Sequence, residues 1–129
     1  MGCSRWLKKE VNGQDIIVTL PGEKMLLYRA VGDKEYYSIM QTAKFACLPG
    51  GVGVKYFGKD LKDTIRFAEK TINNNTVAVV EIEVAQDVVE KIGDFVNVDP
   101  FLFRHGTVEV WESNLDDFNN AIINIVHKF

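Results

Sequence analysis

Cysteine and histidine are scarce in this chain, with two of each among 129 residues. Cys3 sits at a terminus and Cys47 far from it, so no disulfide framework is spelled out, and no Cys/His spacing suits zinc. His105 and His127 stand alone and read as surface or partly buried imidazoles rather than metal ligands. No apolar run is long enough to cross a bilayer. The start, Met1-Gly2-Cys3-Ser4-Arg5-Trp6, is followed by no hydrophobic stretch, which excludes a secretory signal of the usual form. An N-myristoylation pattern would want Ser or Thr where Trp6 stands. The Walker phosphate loop, the nucleophile elbow and a helix with paired histidines are all missing. Excess positive charge is missing too: the net charge is -3 and the pI about 5.4. Generic polyanion binding therefore gets no support, although a local basic cleft stays open. These absences lead to the expectation of a cytoplasmic protein with no membrane association and no metal.

What is present belongs to an ordinary globular domain. Hydrophobic residues make up 47% and charged residues 26%. Eight Phe, four Tyr and two Trp argue against disorder. The length fits a single domain over residues 1–129, with residues 1–14 expected as a loose polar tail.

Along the chain, Ile16 to Leu20 reads as a strand stopped by Pro21-Gly22, and Met25 to Val31 as a second, central strand. Asp33 is expected to cap a helix whose apolar side holds Tyr36, Ile39 and Met40. Phe45 to Gly53 reads as a glycine-rich loop, then Val54 to Gly58 as a short strand. Asp60 can cap a helix with Leu61, Ile65, Ala68 and Ile72 on one side, closed by the turn at Asn73-Asn74-Asn75. Thr76 to Val84 is the clearest strand. Asp87 to Ile92 suits a short helix ended by Gly93. Asn97 to His105 is irregular, with an extended piece at Phe101-Leu102-Phe103. Thr107 to Trp111 is a further strand, and Asn114 can cap a helix from Leu115. Ile122 to Val126 is a strand or the tail of that helix. Short strands in irregular alternation with helices predict an α+β fold, not a doubly wound sheet.

Three segments can carry chemistry. Arg29 lies inside the apolar strand Leu27-Tyr28-Arg29-Ala30-Val31. A guanidinium there needs an anion or a carboxylate partner, and its planar fork fits phosphate oxygens. Tyr56 and Phe57 are adjacent on a strand, so one can fill the core while the other lines a cleft and stacks on a planar ring. Glu109 alternates with Val108 and Val110 and faces away from them. A carboxylate so placed can hold a ribose hydroxyl and stabilise a cationic transition state. Glu112 is a nearby alternative.

Together these segments resemble the ADP-ribosyltransferase superfamily. The stretch Gly51-Val52-Gly53-Val54-Lys55-Tyr56-Phe57-Gly58 looks like the GxGxYFA strand of its poly-ADP-ribose polymerase branch. The order Tyr28-Arg29-Ala30-Val31, Lys55-Tyr56-Phe57 and Leu115-Asp116-Asp117-Phe118-Asn119 is similar to compact domains of bacterial toxins and phage proteins. The resemblance covers residues 25–129. It implies a small split, antiparallel-rich sheet with flanking helices and NAD as the substrate in a cleft between two small sheets. Arg29, with Tyr28 beside it, would grip the NAD ribose or phosphates. Tyr56 or Phe57 would stack on nicotinamide, and Glu109 would bond the nicotinamide ribose. The ADP-ribose would pass to a protein, to a nucleic acid or to water, in the cytoplasm or inside a target cell reached by an effector. The chain departs from the family in lacking the polymerase-type histidine on the first strand and the Ser-Thr-Ser strand of the arginine-modifying branch. Glu109 and Glu112 cannot share one strand face. An inactive nucleotide- or protein-binding relative and an unrelated α+β interaction protein are the alternatives.

Overall fold

The computed structural model describes residues 5–11, 14–20, 22–47, 53–71, 75–97 and 99–129. Its elements run β1 (Arg5–Val11), β2 (Gln14–Leu20), β3 (Lys24–Gly32), α1 (Asp33–Thr42), β4 (Val54–Gly58), α2 (Leu61–Lys70), β5 (Thr76–Ala85), α3 (Gln86–Ile92), β6 (Asp94–Val96), β7 (Thr107–Trp111), α4 (Leu115–Asn120) and β8 (Ile122–His127). The class is α+β, as the sequence predicts. Strands β3 to β8 form one antiparallel sheet in the order β6-β7-β4-β3-β5-β8, and β1 and β2 form a separate hairpin.

The expected loose tail is the first correction. Arg5 to Val11 is a strand, registered from Arg5 opposite Leu20 to Val11 opposite Gln14. Two residues, Asn12 and Gly13, separate the strands, and Asn-Gly between two runs is the strongest short-range hairpin signal. The polar composition of the segment hid it.

The sheet has two unlike faces because side chains alternate along each strand. Leu27 and Val31 of β3, Phe57 of β4, Val80, Ile82 and Val84 of β5, and Val108 and Val110 of β7 all bury on one face. Three helices cover that face through Ile39 (α1), Val89 (α3), and Leu115 and Phe118 (α4). An aromatic cluster lies at its centre, with Phe57 stacked on Phe118 at 4.8 Å and Phe45 edge-on to Phe57 at 5.3 Å. On the other face lies α2, whose Ala68, Leu61 and Ile65 pack on Tyr28, Ala30 and Val79.

The Leu115-to-Asn119 motif explains itself in this packing. Leu115 and Phe118 are core residues. Asn119 accepts the Phe45 backbone N–H at 2.8 Å and donates to the Phe45 carbonyl at 2.8 Å. The motif therefore fastens the loop after α1 to the core.

Helix boundaries follow local chemistry, with three adjustments. Asp60 caps α2 as predicted, its side chain accepting from the Asp63 N–H. Asp33 is the first residue of α1, not its cap; Gly32 holds the cap position. Met40 is exposed while Ile39 is buried, so the apolar side of α1 is narrower than its spacing implied. Asn114 makes no capping bond to α4. It closes a single 3-10 turn, Glu112–Asn114, and donates weakly to the Ile92 carbonyl. Around Phe101-Leu102-Phe103 the chain turns and does not extend. The Phe103 N–H reaches the Asp99 carbonyl at 2.8 Å, and the Asp99 side chain accepts from the Phe101 and Leu102 N–H groups. An aspartate bonding its own following backbone makes a turn there. The C-terminal alternative resolves to a strand, β8, paired with β5. Ile72, Asn73, Asn74, Cys3 and most of the Gly51 to Gly53 loop lie outside the described residues. No described helix is long and apolar enough to cross a membrane.

Candidate functional site

The sheet is weakest at its middle. Strands β3 and β4 share a single register pair, Tyr28 opposite Gly58, while β3 and β5 pair along nearly their whole length. Beyond that pair the two strands diverge. Carbonyls freed from strand pairing need other partners, and here a side chain supplies one: Arg29 Nη1 donates to the Tyr56 carbonyl at 2.9 Å.

A cavity of about 400 Å³ opens at this divergence. Its walls are Tyr28, Arg29, Ala30 and Gly32 from β3 and its end, Glu35 from α1, Tyr56, Phe57 and Gly58 from β4, Thr64 and Phe67 from α2, and Asp99, Phe103 and Thr107 from the segment leading into β7. The volume lies within the range of small-ligand sites, and apolar walls with a few polar groups are their usual character. Gly58 is needed at the join. A Cβ there would overlap the Thr64 hydroxyl and stand 3.1 Å from the Phe103 ring, so any larger residue would push α2 and the 99–106 segment off the strand.

Four of the five expected site residues meet in this cavity: Tyr28, Arg29, Tyr56 and Phe57. The two aromatics divide as alternation predicts. Phe57 is wholly buried against Phe118 and forms the floor, whereas Tyr56 is 39% exposed. Stacking on a ligand ring therefore falls to Tyr56. Tyr28 donates its hydroxyl to Glu81 Oε2 at 3.1 Å. Burial, with the Glu81 hydrogen bond and charge, pushes its pKa to about 12.

Arg29 is engaged by the protein itself. Its Nε donates to Glu35 Oε2 at 2.7 Å and its Nη2 to Glu35 Oε1 at 3.2 Å, a two-point fork. Its guanidinium carbon also stands 5.8 Å from the centre of the Phe57 ring. Lys55 donates to the same Glu35 Oε2 at 3.4 Å. Burial alone would push the Glu35 carboxyl up. The Arg29 hydrogen bonds and charge, with those of Lys55, outweigh burial and hold it below the usual carboxylate range.

Glu109 stands apart from this group. It is the cross-strand partner of Tyr56 and leaves the sheet on the same face as the Tyr56 ring. It is not in the cavity wall. Arg29 shares its face with Leu27 and Val31, so Arg29 and Glu109 point from opposite faces of the sheet. Loss of hydration and then the Glu109 carboxylate raise the Tyr56 phenol pKa. Glu112 lies beyond the end of β7 and is exposed.

A second polar group joins α2 to the 99–106 segment, both of which lend residues to the cavity wall. Asp63 is 1% exposed. Its Oδ1 accepts from Arg66 Nη2 at 2.6 Å, and its Oδ2 from the His105 backbone N–H at 2.9 Å and lies 2.9 Å from His105 Nδ1. Arg66 donates also to the Leu102 carbonyl at 3.0 Å. Those bonds outweigh burial and hold the Asp63 carboxyl below its usual range. Asp60, Asp63 and His105 offer oxygen and nitrogen atoms within 4.8 Å of one another. Both Asp63 oxygens are already committed, so the group reads as a clamp joining α2 to the 99–106 segment. His127, the other histidine, bonds to the Tyr36 hydroxyl at 2.8 Å.

The sequence reading missed Glu35, Lys55 and Asp63. A signal existed for the first: a buried-strand arginine demands a carboxylate, and Glu35 follows Arg29 by six residues across one tight junction. Nothing local marks Asp63, whose partner at position 105 is brought by the sheet. Compared with protein-family models, curated proteins and solved structures, the chain matches none.

Proposed function

We propose that this domain is a nucleotide-binding module, with NAD as the candidate ligand, whose cleft lies where β3 and β4 diverge, and that it binds without turning its ligand over. One observation carries this reading. Tyr28, Arg29 and Tyr56 line a single cavity of small-ligand size, while Glu109 lies outside its wall. An exposed phenol at the rim offers a stacking surface, and the Arg29 fork keeps N–H groups to spare for ligand oxygens. The resemblance of these strands to ADP-ribosyltransferases is the ground for naming NAD. Cleavage of the nicotinamide–ribose bond needs a carboxylate at the sugar, and Glu109 is not in the cavity wall.

A turnover reading draws on one further contact. Glu109 is the cross-strand neighbour of Tyr56, one side chain away from the wall. In that reading the domain is an ADP-ribosyltransferase or an NAD glycohydrolase, with a protein, a nucleic acid or water as acceptor. A pair of measurements separates the two. The protein is titrated with NAD by calorimetry and melted with and without it, and free nicotinamide is followed over hours beside Glu109→Gln and Arg29→Ala. Saturable binding lost in R29A, with no nicotinamide released, is the expected result. Release that both variants abolish would replace binding with catalysis. Absence of binding and release alike would end the NAD reading and favour a protein-binding role.

A further inference from the structure

Alternation along β4 and β7 sends Phe57, Val108 and Val110 into the core and leaves their neighbours on the opposite face of the sheet. Three of those neighbours form a row across three strands: Tyr56 of β4 lies opposite Glu109 of β7, and Glu109 lies opposite Asp94 of β6. Trp111, two residues beyond Glu109, stands on the same face, and its indole Nε1 donates to Asp94 Oδ2 at 3.2 Å. Both rings reach solvent, with Tyr56 39% and Trp111 45% exposed. The two carboxylates face each other across the β6–β7 pair, and like charges directly opposite weaken a strand pair. Elsewhere this chain answers its half-buried and buried carboxylates with its own cations, Arg29 and Lys55 for Glu35 and Arg66 for Asp63. No described cation forms an ion pair with Asp94 or Glu109.

We propose that this outer face of β6, β7 and β4 is a docking surface for an arginine-bearing peptide segment of a partner protein. Charge complementarity selects the occupant. A guanidinium relieves the repulsion between Glu109 and Asp94 and stacks on an aromatic ring while its N–H groups reach carboxylate oxygens, which a lysine ammonium does less well. An apolar partner would bury the two carboxylates without a counter-charge, at a cost in binding. A nucleic acid would meet charge of its own sign. The proposal is independent of what fills the cavity, because Asp94, Glu109 and Trp111 are all outside the cavity wall.

The test titrates the isotope-labelled full chain with three capped peptides, Gly-Arg-Gly-Arg-Gly and its lysine and citrulline counterparts, and follows amide and indole N–H signals by NMR. Citrulline keeps the shape of arginine and removes its charge. The arginine peptide is expected to move the Trp111 indole signal, told from that of Trp6 by Trp111→Phe, together with the amides of Tyr56, Asp94 and Glu109. Binding should saturate, weaken with added salt, and exceed that of the lysine peptide several-fold. The citrulline peptide should move none of these signals. Asp94→Asn should weaken the arginine peptide about fivefold, the worth of one exposed ion pair. It should also melt no earlier than the parent, since it removes one of two opposed like charges. Should D94N loosen β6, Trp111→Ala gives the second reading, with the arginine peptide reduced to the level of the lysine peptide. Equal binding of the citrulline peptide would mean an uncharged partner and overturn the proposal. Shifts that fall elsewhere on the molecule, or no shifts with any peptide, would overturn it as well.

Discussion

Two buried or half-buried carboxylates, Glu35 in the cavity wall and Asp63 on the helix α2 that borders it, are used in opposite ways. Asp63 is almost fully buried and saturated: one arginine, one backbone N–H and one imidazole consume both of its oxygens. Glu35 is half-buried and oversubscribed, with Arg29 and Lys55 both reaching for it. A saturated ionic group fixes structure because nothing remains to bind a newcomer. An oversubscribed one leaves donors free and charge unbalanced, which is the condition a ligand can relieve. Asp63 therefore reads as scaffold, and Glu35, in the cavity wall, as the responsive group.

The comparison can be broken most forcefully at Asp63. Asp63→Asn keeps the shape but turns an acceptor into a donor facing the His105 N–H and removes the partner of Arg66. It is expected to cost about 3 kcal/mol in urea unfolding, the lower range for breaking a buried ion pair. Amide exchange should rise through residues 99–106 before it rises in β3 or β5. A loss spread evenly over the sheet would contradict the clamp.

Glu35→Gln should cost less, about 2 kcal/mol, because its partners keep some water and the Arg29 bond to Tyr56 survives. Exchange should quicken at the β3–β4 junction and stay slow in residues 99–106. Asp60→Ala, which removes the α2 cap and a longer 3.8 Å approach to His105 Nδ1, should cost about 1 kcal/mol. A cost for D60A as large as that for D63N would mean that the cap and the clamp are one unit.

Acidity sharpens the contrast further. Both carboxyls are held below their ordinary values of 4.5 for Glu35 and 3.8 for Asp63. Folding therefore releases protons, and the stability these groups contribute is present above those values. It is lost as pH falls through the lower folded values, beginning near 4.5 with Glu35. Unfolding titrated from pH 6 to 3 should show a shallower acid slope in E35Q and D63N than in the parent. At the alkaline end Tyr28 has the opposite sign, since its folded pKa of about 12 lies above 10.0. Its contribution is complete below pH 10 and is lost between there and about 12. Tyr28→Phe should flatten that loss when melting is followed against pH.

Much of the scaffold was legible because it rests on local rules. The apolar strands β3, β5 and β7, the Asp60 cap and the split between Tyr56 and Phe57 follow from alternation and from capping chemistry. The hairpin of β1 and β2 was legible too, in Asn12-Gly13, but lay under a polar composition that drew attention away. Strand β6 was not legible. Three residues pair with β7 only because Gly93 ends α3 beside Val108, a contact between positions distant in the chain.

By itself the sequence determined most of the core strands and helices and which few polar groups stood in apolar surroundings, because periodicity and local hydrogen bonding act over a few residues. Only the tertiary structure decided how those polar groups were spent. It joined β3 to β4 through one register pair, opened the cavity there, and set Arg29 and Glu109 on opposite faces of the sheet. Charge pairing depends on distances across strands, and those distances exist only once the sheet has closed.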